Sequence, residues 1–170
     1  MQVIEKFLEE YKFQELKNIV LDNSFNWNFN HVSVYNSDEE VNDLKNCQFT
    51  HILYDNSKPV SEFYDYFLNN FFINLNFSVL LRAKLNLNVN VGEIKEKSFH
   101  TDIPTFMAKN INYNTGIFYF NTNNGYTKFK TGEKITSIEN RFLVFNGNTP
   151  HCGSTCSNDK KRIVLNVNWI

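Results

Sequence analysis

Cysteine is scarce in this chain. Cys47, Cys152 and Cys156 make an odd count with no framework of spacings, which argues against a disulfide-stapled module and predicts reduced thiols. Long apolar runs are also missing, so no segment reads as a membrane-spanning helix. The opening Met1-Gln2-Val3-Ile4-Glu5-Lys6 has neither the basic region nor the apolar stretch of a signal peptide, and the expected location is the cytoplasm. Charge of either sign is not in excess. A net charge of -1 provides no electrostatic footprint for nucleic acid or an anionic membrane, so neither is a favoured partner.

What the chain does have is ordinary for a globular domain, with one exception. Apolar content of 42% and charged content of 21% suit a single folded unit, and 170 residues suffice for one buried core. No repeat or linker divides the chain, so one domain over 1–170 is expected. Asparagine is the exception, at roughly one residue in six against a typical usage led by Leu, Ala and Gly. These asparagines interleave with Phe, Ile, Leu and Val at strand spacing, which indicates a folded chain with a composition bias rather than disorder.

Period changes along the chain set its organisation. Ile4, Phe7, Leu8 and Tyr11, then Leu16, Ile19 and Val20, recur at helical spacing until Asp22-Asn23-Ser24 breaks the pattern. Asp38-Glu39-Glu40 reads as a solvated loop or helix start. Val60, Phe63, Tyr64, Phe67, Leu68, Phe71, Phe72 and Leu75 predict a second helix, started by Ser57 and Pro59, with an aromatic stripe wide enough to need a sheet as its partner. Helical support is therefore expected over about 1–77. From about residue 78 the period is two. Leu81, Ala83, Leu85, Leu87, Val89 and Val91 alternate with Arg82, Lys84, Asn86, Asn88 and Asn90. Further strands are predicted at Ile111 to Asn121, Tyr126 to Lys130, Phe142 to Asn146 and Arg162 to Trp169, with a tight-turn signal at Asn123-Asn124-Gly125. Strands without intervening helices indicate an antiparallel sandwich or barrel. In the last strand Ile163, Leu165, Val167 and Trp169 share one face. Arg162, Val164, Asn166 and Asn168 share the other, which looks to water or into a polar cavity.

Three places carry possible chemistry. His100-Thr101-Asp102 is an H-x-D triplet, weak by itself, since a surface histidine near a turn aspartate gives the same pattern. His151 follows an apolar strand and a turn at Gly147-Asn148-Thr149-Pro150. Two imidazoles and a carboxylate from opposite sides of a small barrel would form the facial set that leaves three coordination positions open on Fe(II). Arg162 begins the final strand and offers a planar fork to a carboxylate, whereas Lys160 and Lys161 read as a solvated turn. Cys152 and Cys156 leave a rival open, a zinc site built from His151 and a thiolate, although no second cysteine pair supports it. His31, His51, Trp27 and Trp169 read as structural.

The stretch from His100-Thr101-Asp102 through Ile117-Phe118-Tyr119-Phe120-Asn121, Asn124-Gly125-Tyr126-Thr127-Lys128-Phe129, Phe142-Leu143-Val144-Phe145 and His151 to Arg162-Ile163-Val164-Leu165 resembles the Fe(II)/2-oxoglutarate-dependent oxygenases. The likeness is to the prolyl-4-hydroxylase-like branch, especially small stand-alone bacteriophage members, and it covers residues 78–170. It implies a mainly β fold with flanking helices: a double-stranded β-helix, or cupin-like jelly roll, with the N-terminal helices packed on one sheet. It also implies iron ligands at His100, Asp102 and His151, and 2-oxoglutarate with its distal carboxylate on Arg162. Ascorbate is implied as a reductant, and a host-cell cytoplasm if the chain is viral. Members of this branch place a tyrosine inward on the strand after H-x-D. Here that position falls on Phe118, with Tyr119 on the other face, which leaves Asn86 or Asn166 as the second contact to the co-substrate. The implied activity is hydroxylation of a protein, small molecule or nucleotide with decarboxylation of 2-oxoglutarate to succinate. The alternatives are a non-catalytic metal-binding jelly roll and a nucleic-acid demethylase of the same chemistry. Gly92 to Ser98 and Ile103 to Asn110 are the expected mouth of the barrel, where substrate choice resides.

Overall fold

A computed structural model describes residues 1–32, 43, 45–103 and 111–170. The acidic cluster Asp38-Glu39-Glu40 lies outside the described residues, as does the mouth segment beyond Ile103. Two sheets face each other in a jelly roll, and helices back the larger sheet. In chain order the elements are β1 (Gln2–Ile4), α1 (Glu10–Leu21), β2 (Asn28–Asn30), β3 (Gln48–Asp55), β4 (Lys58–Pro59), α2 (Tyr64–Asn70), a 3-10 turn (Phe72–Asn74), β5 (Leu80–Val89), β6 (Asn114–Tyr119), β7 (Tyr126–Phe129), β8 (Lys134–Thr136), β9 (Arg141–Asn146), β10 (His151–Gly153) and β11 (Lys161–Trp169). Among the described residues, no helix is long and apolar enough to cross a membrane.

The larger sheet runs β1-β9-β6-β11-β5-β3-β2, with β4 paired to β3, and the smaller runs β10-β7-β8. All pairings are antiparallel. Alternation along β5, β6 and β11 sends one set of side chains toward the helices and the other toward the small sheet. The helix side is the main core. Leu85, Phe118, Phe142, Ile163, Leu165 and Val167 pack there under Phe13 and Leu16 of α1 and Phe67, Phe71 and Phe72 from the second helical segment. Between the sheets a second cluster joins Ile117, Tyr119, Phe129, Leu143, Phe145 and Val164. Each fully buried Leu, Ile or Phe contributes roughly 1.5–3 kcal/mol, so the helix-backed face supplies most of the stability and leaves the inter-sheet face free to carry polar groups.

The first 77 residues differ from the helical expectation. They contain α1 and α2 but also four strands, and β1 and β3 extend the large sheet on opposite edges. Residues Ile4 to Glu9 are not helical. Ile4 ends β1, and Tyr11 is exposed at the start of α1. The second helix is short because Asn56 and Ser57 both take positive φ (50° and 61°), the geometry of a two-residue hairpin. The Ser57 and Pro59 start signal thus belongs to the β3–β4 turn, and Val60 is left exposed.

Candidate metal centre

The two histidines meet by strand pairing. His100 and His151 lie directly opposite in an antiparallel bridge and exchange both backbone bonds, His100 N–H to His151 O at 2.9 Å and His151 N–H to His100 O at 3.0 Å. Their side chains therefore point to the same side, with ring centroids 5.0 Å apart. Each ring is oriented by a carbonyl two residues earlier: His100 Nδ1 sits 2.9 Å from Ser98 O and His151 Nδ1 sits 3.2 Å from Thr149 O. Donation from Nδ1–H leaves both Nε2 lone pairs free for the centre. Phe145 meets the His151 ring edge-on at 4.8 Å and fixes its plane.

Asp102 completes the cluster. Its Oδ1 lies 3.9 Å from His100 Nε2 and its Oδ2 lies 3.7 Å from His151 Nε2. One ligand atom from each of the three residues falls within 4.8 Å of the others. Burial raises the affinity of Asp102 for a proton, but the two histidines, Asn168 and Arg82 together outweigh it and hold the carboxyl below its ordinary range. Burial pulls His100 down, and His151 and Lys84 add to this against the opposing pull of Asp102 and Ser98, so its imidazole is ready as a neutral donor. Half-buried Lys84 is pulled down to about 8, first by burial and then by Arg82, against Asp102 and Asp55.

A cavity of about 70 Å³ leads from His100 and His151 to Arg162, walled by Ile117, Val164 and the amides of Asn86 and Asn88. Arg162 is 2% exposed. Among the described residues no carboxylate pairs with it. Its Nη2 donates to Thr127 Oγ1 at 3.3 Å, its Nη1 to Ser154 O at 3.5 Å, and its Nε has no partner. The Oδ1 atoms of Asn86 and Asn88 are likewise buried without a bond. A buried guanidinium without an anion is costly. The unpaired guanidinium fits a carboxylate-bearing ligand, whereas the two amide oxygens are acceptors and call for a donor.

Two sequence expectations change here. Tyr119, not Phe118, points into the barrel. Its ring lies 5.5 Å from the Arg162 guanidinium and its hydroxyl donates to Thr127 Oγ1 at 2.9 Å, while Phe118 is buried among the helix-side phenyl rings. Asn166 lines the cavity, yet its amide is taken by Asp102 Oδ1 at 2.8 Å. Asn168 holds the other oxygen at 3.1 Å, a role for which its place on the polar face of the strand is the one signal in the sequence. Cys152 and Cys156 are buried and free, burial pushes Cys152 up to about 11, and neither joins the metal-competent cluster. His51 is structural, bonded to Asn26 O and Ser61 Oγ at 2.7 Å each.

No protein-family model and no curated protein sequence matches the chain. Solved structures do. A 2OG-Fe(II) oxygenase-family oxidoreductase from Burkholderia pseudomallei aligns over 98% of this chain and 84% of its own, with a TM-score of 0.64 at 7% identity. A Pseudomonas putida prolyl-4-hydroxylase aligns over 99% and 91%, with a TM-score of 0.61 at 12% identity. The viral collagen prolyl hydroxylase of Paramecium Bursaria Chlorella virus-1 aligns over 99% and 89%, with a TM-score of 0.58 at 14% identity. The chain thus has the jelly-roll fold of the Fe(II)/2-oxoglutarate oxygenases in its prolyl-4-hydroxylase-like form, and it carries a His-x-Asp…His cluster on that fold.

Proposed function

We propose that this chain is an Fe(II)- and 2-oxoglutarate-dependent dioxygenase that hydroxylates a substrate C–H bond, with His100, Asp102 and His151 holding the iron and Arg162 the distal carboxylate of the co-substrate. One observation carries the reading: a single cavity joins a two-imidazole, one-carboxylate cluster to a buried arginine that lacks an acid partner among the described residues. That donor set suits ferrous iron with open positions, whereas structural zinc takes a closed tetrahedral set.

Bound iron and 2-oxoglutarate supply oxidation by O2, one oxygen atom going to the substrate and the other to succinate as CO2 leaves. The chain contributes position and dryness. Asn166 and Asn168 orient the Asp102 carboxylate, and the carbonyls of Ser98 and Thr149 orient the imidazoles. Arg162 and Tyr119 converge on Thr127, which makes a donor cluster for one carboxylate. Asn86, on the neighbouring strand β5, offers its amide N–H to the same ligand. Ile117 and Val164 keep the passage between the two ends apolar.

Anaerobic addition of Fe(II) and 2-oxoglutarate is expected to give a weak visible charge-transfer band, and exposure to air to give succinate. His151→Ala should lose iron and band together. Arg162→Ala should keep iron while 2-oxoglutarate affinity falls about a hundredfold or more, the usual cost of breaking a buried ion pair. A wild-type protein that binds Fe(II) but yields neither band nor succinate would be a metal-holding jelly roll, and the oxygenase reading would fall.

A further inference from the structure

The inner face of β5 continues past the cavity as a pair of cations. Alternation puts Arg82 and Lys84 on the same side of the strand as Asn86 and Asn88. Register sets Lys84 beside Asn166 and Arg82 beside Asn168, the two amides that hold Asp102. Among the described residues neither cation forms an ion pair. The hydrogen bond Arg82 does make goes to a backbone oxygen, that of Asp102, at 3.4 Å. A groove of about 530 Å³ opens on Arg82 and Asp102 between Leu81, Ile111 and Tyr113. Asp55 stands on its wall, hydrogen-bonded to Asn56.

Charge counting separates these cations from the co-substrate. A divalent iron, the Asp102 carboxylate, a doubly negative 2-oxoglutarate and the Arg162 guanidinium cancel. Arg82 and Lys84 then remain as two positive charges that Asp55 offsets only in part. Distance separates them as well. Arg162 lies opposite Asn88, four residues from Lys84 and six from Arg82 along β5, or about 13 and 20 Å of strand. Two neighbouring cations in a partly buried site, offset only in part by Asp102 and Asp55, repel each other and are stabilised by whatever brings a further anion.

We propose that Arg82, which lines this groove, is the anion subsite for the substrate, with Lys84 adding its charge from two residues further along the same face of β5: the molecule oxidised at this centre carries a carboxylate or phosphate group that approaches along the groove. The inference rests on the oxygenase reading and adds the substrate class to it. In the test, protein loaded with Mn(II) and N-oxalylglycine, a redox-inert pair that fills the metal and Arg162 ends, is titrated with acetate and with inorganic phosphate while water-proton relaxation at the manganese is followed. Saturable binding of at least one anion is expected, weakened tenfold or more in the Arg82→Gln, Lys84→Gln double variant and retained in the Arg82→Lys, Lys84→Arg double variant. The tighter of the two anions names the carboxylate or the phosphate source. No saturable binding, or equal binding by the Gln variant, overturns the subsite. So does a Gln variant that folds and holds Mn(II) but loses N-oxalylglycine, because the cations then serve the co-substrate. Failure of the wild-type protein to hold Mn(II) at all is a different result, which sinks the oxygenase reading and takes this inference with it.

Discussion

Asn166 donates its amide to Asp102 across 2.8 Å, from the same strand that presents Arg162 four residues earlier. The final strand therefore serves both ends of the site. Asn168 holds the second carboxylate oxygen and also donates to Thr115 at 2.9 Å, so the acid is fixed in plane by two amides that are themselves buried. Partners of this kind usually govern metal affinity by ten- to hundredfold. Asn166→Ala and Asn168→Ala are each expected to raise the Mn(II) dissociation constant by that factor, with the fold intact by circular dichroism. An Asn166→Ala protein that keeps Mn(II) affinity and loses only N-oxalylglycine would return Asn166 to the co-substrate.

Tyr119→Phe removes one hydroxyl and nothing else. That hydroxyl donates to Thr127 Oγ1, which also accepts from Arg162, so its loss loosens the donor cluster without touching the metal end. A buried hydrogen bond is worth about 1 kcal/mol, and 2-oxoglutarate affinity should fall roughly five- to tenfold. Metal affinity should stay within twofold. Unchanged co-substrate affinity would leave Tyr119 a packing residue only.

The misassigned phase of Tyr119 shows what single-strand patterns carry. In β5 and β11 one face is apolar and the other polar, so alternation alone names the inward residues, and Asn86, Arg162, Val164 and Asn166 all line the cavity as that pattern requires. In β6 both faces are buried: Gly116 and Phe118 turn to the helices, as does Phe120 just beyond its end, and Ile117 and Tyr119 turn to the small sheet. Alternation has no contrast there. The phase is set by register, with Tyr119 opposite Val164 and Phe118 opposite Leu165, and register is a property of two strands. β3 was hidden for a related reason. It buries Gln48, Thr50 and His51 and shifts register near Ile52, so its polarity does not alternate. The H-x-D triplet, His151 and Arg162 were legible because their side-chain chemistry, rather than their periodicity, singles them out.

Acid sensitivity should concentrate at Glu96. Its carboxylate accepts from Lys128 at 2.7 Å and Tyr126 at 2.6 Å and pairs with Lys134, which together draw its pKa down to about 2. A depressed folded-state value means that this network stabilises the protein above the ordinary carboxylate range and is lost as pH falls toward 2. The side chain is about one-third exposed (32%), so screening limits the effect to about 1 kcal/mol. Glu96→Gln should therefore lower Tm by a few degrees at pH 7, and the gap to wild type should close between pH 4 and pH 2. A gap that persists at pH 2 would mean that the substitution acts through packing. Because Glu96 bridges Ser154 on the segment that leads to His100, weaker metal binding is expected to accompany the loss.

Gly125 stands in an Asn-Asn-Gly run that reads as a turn, but its backbone does not take positive φ. The reason for glycine is close approach. A Cβ at this position would sit 2.6 Å from Cδ of Arg162 and 2.8 Å from Thr155 O, distances that real contacts do not reach. The arginine stem can yield, whereas the Thr155 carbonyl is backbone and resists. Gly125→Ala should therefore push the guanidinium away from Thr127 and Tyr119 rather than open the turn. The expected result is a selective defect: 2-oxoglutarate affinity lower by about tenfold, equivalent to roughly 1.4 kcal/mol, with Mn(II) affinity within twofold of wild type. Pairing the change with Arg162→Ala provides the control, since that variant has no Cδ left to displace. The double variant should bind 2-oxoglutarate no more than twofold more weakly than Arg162→Ala alone. Additive losses would mean that Gly125 acts on the co-substrate through the Thr155 loop instead of through Arg162.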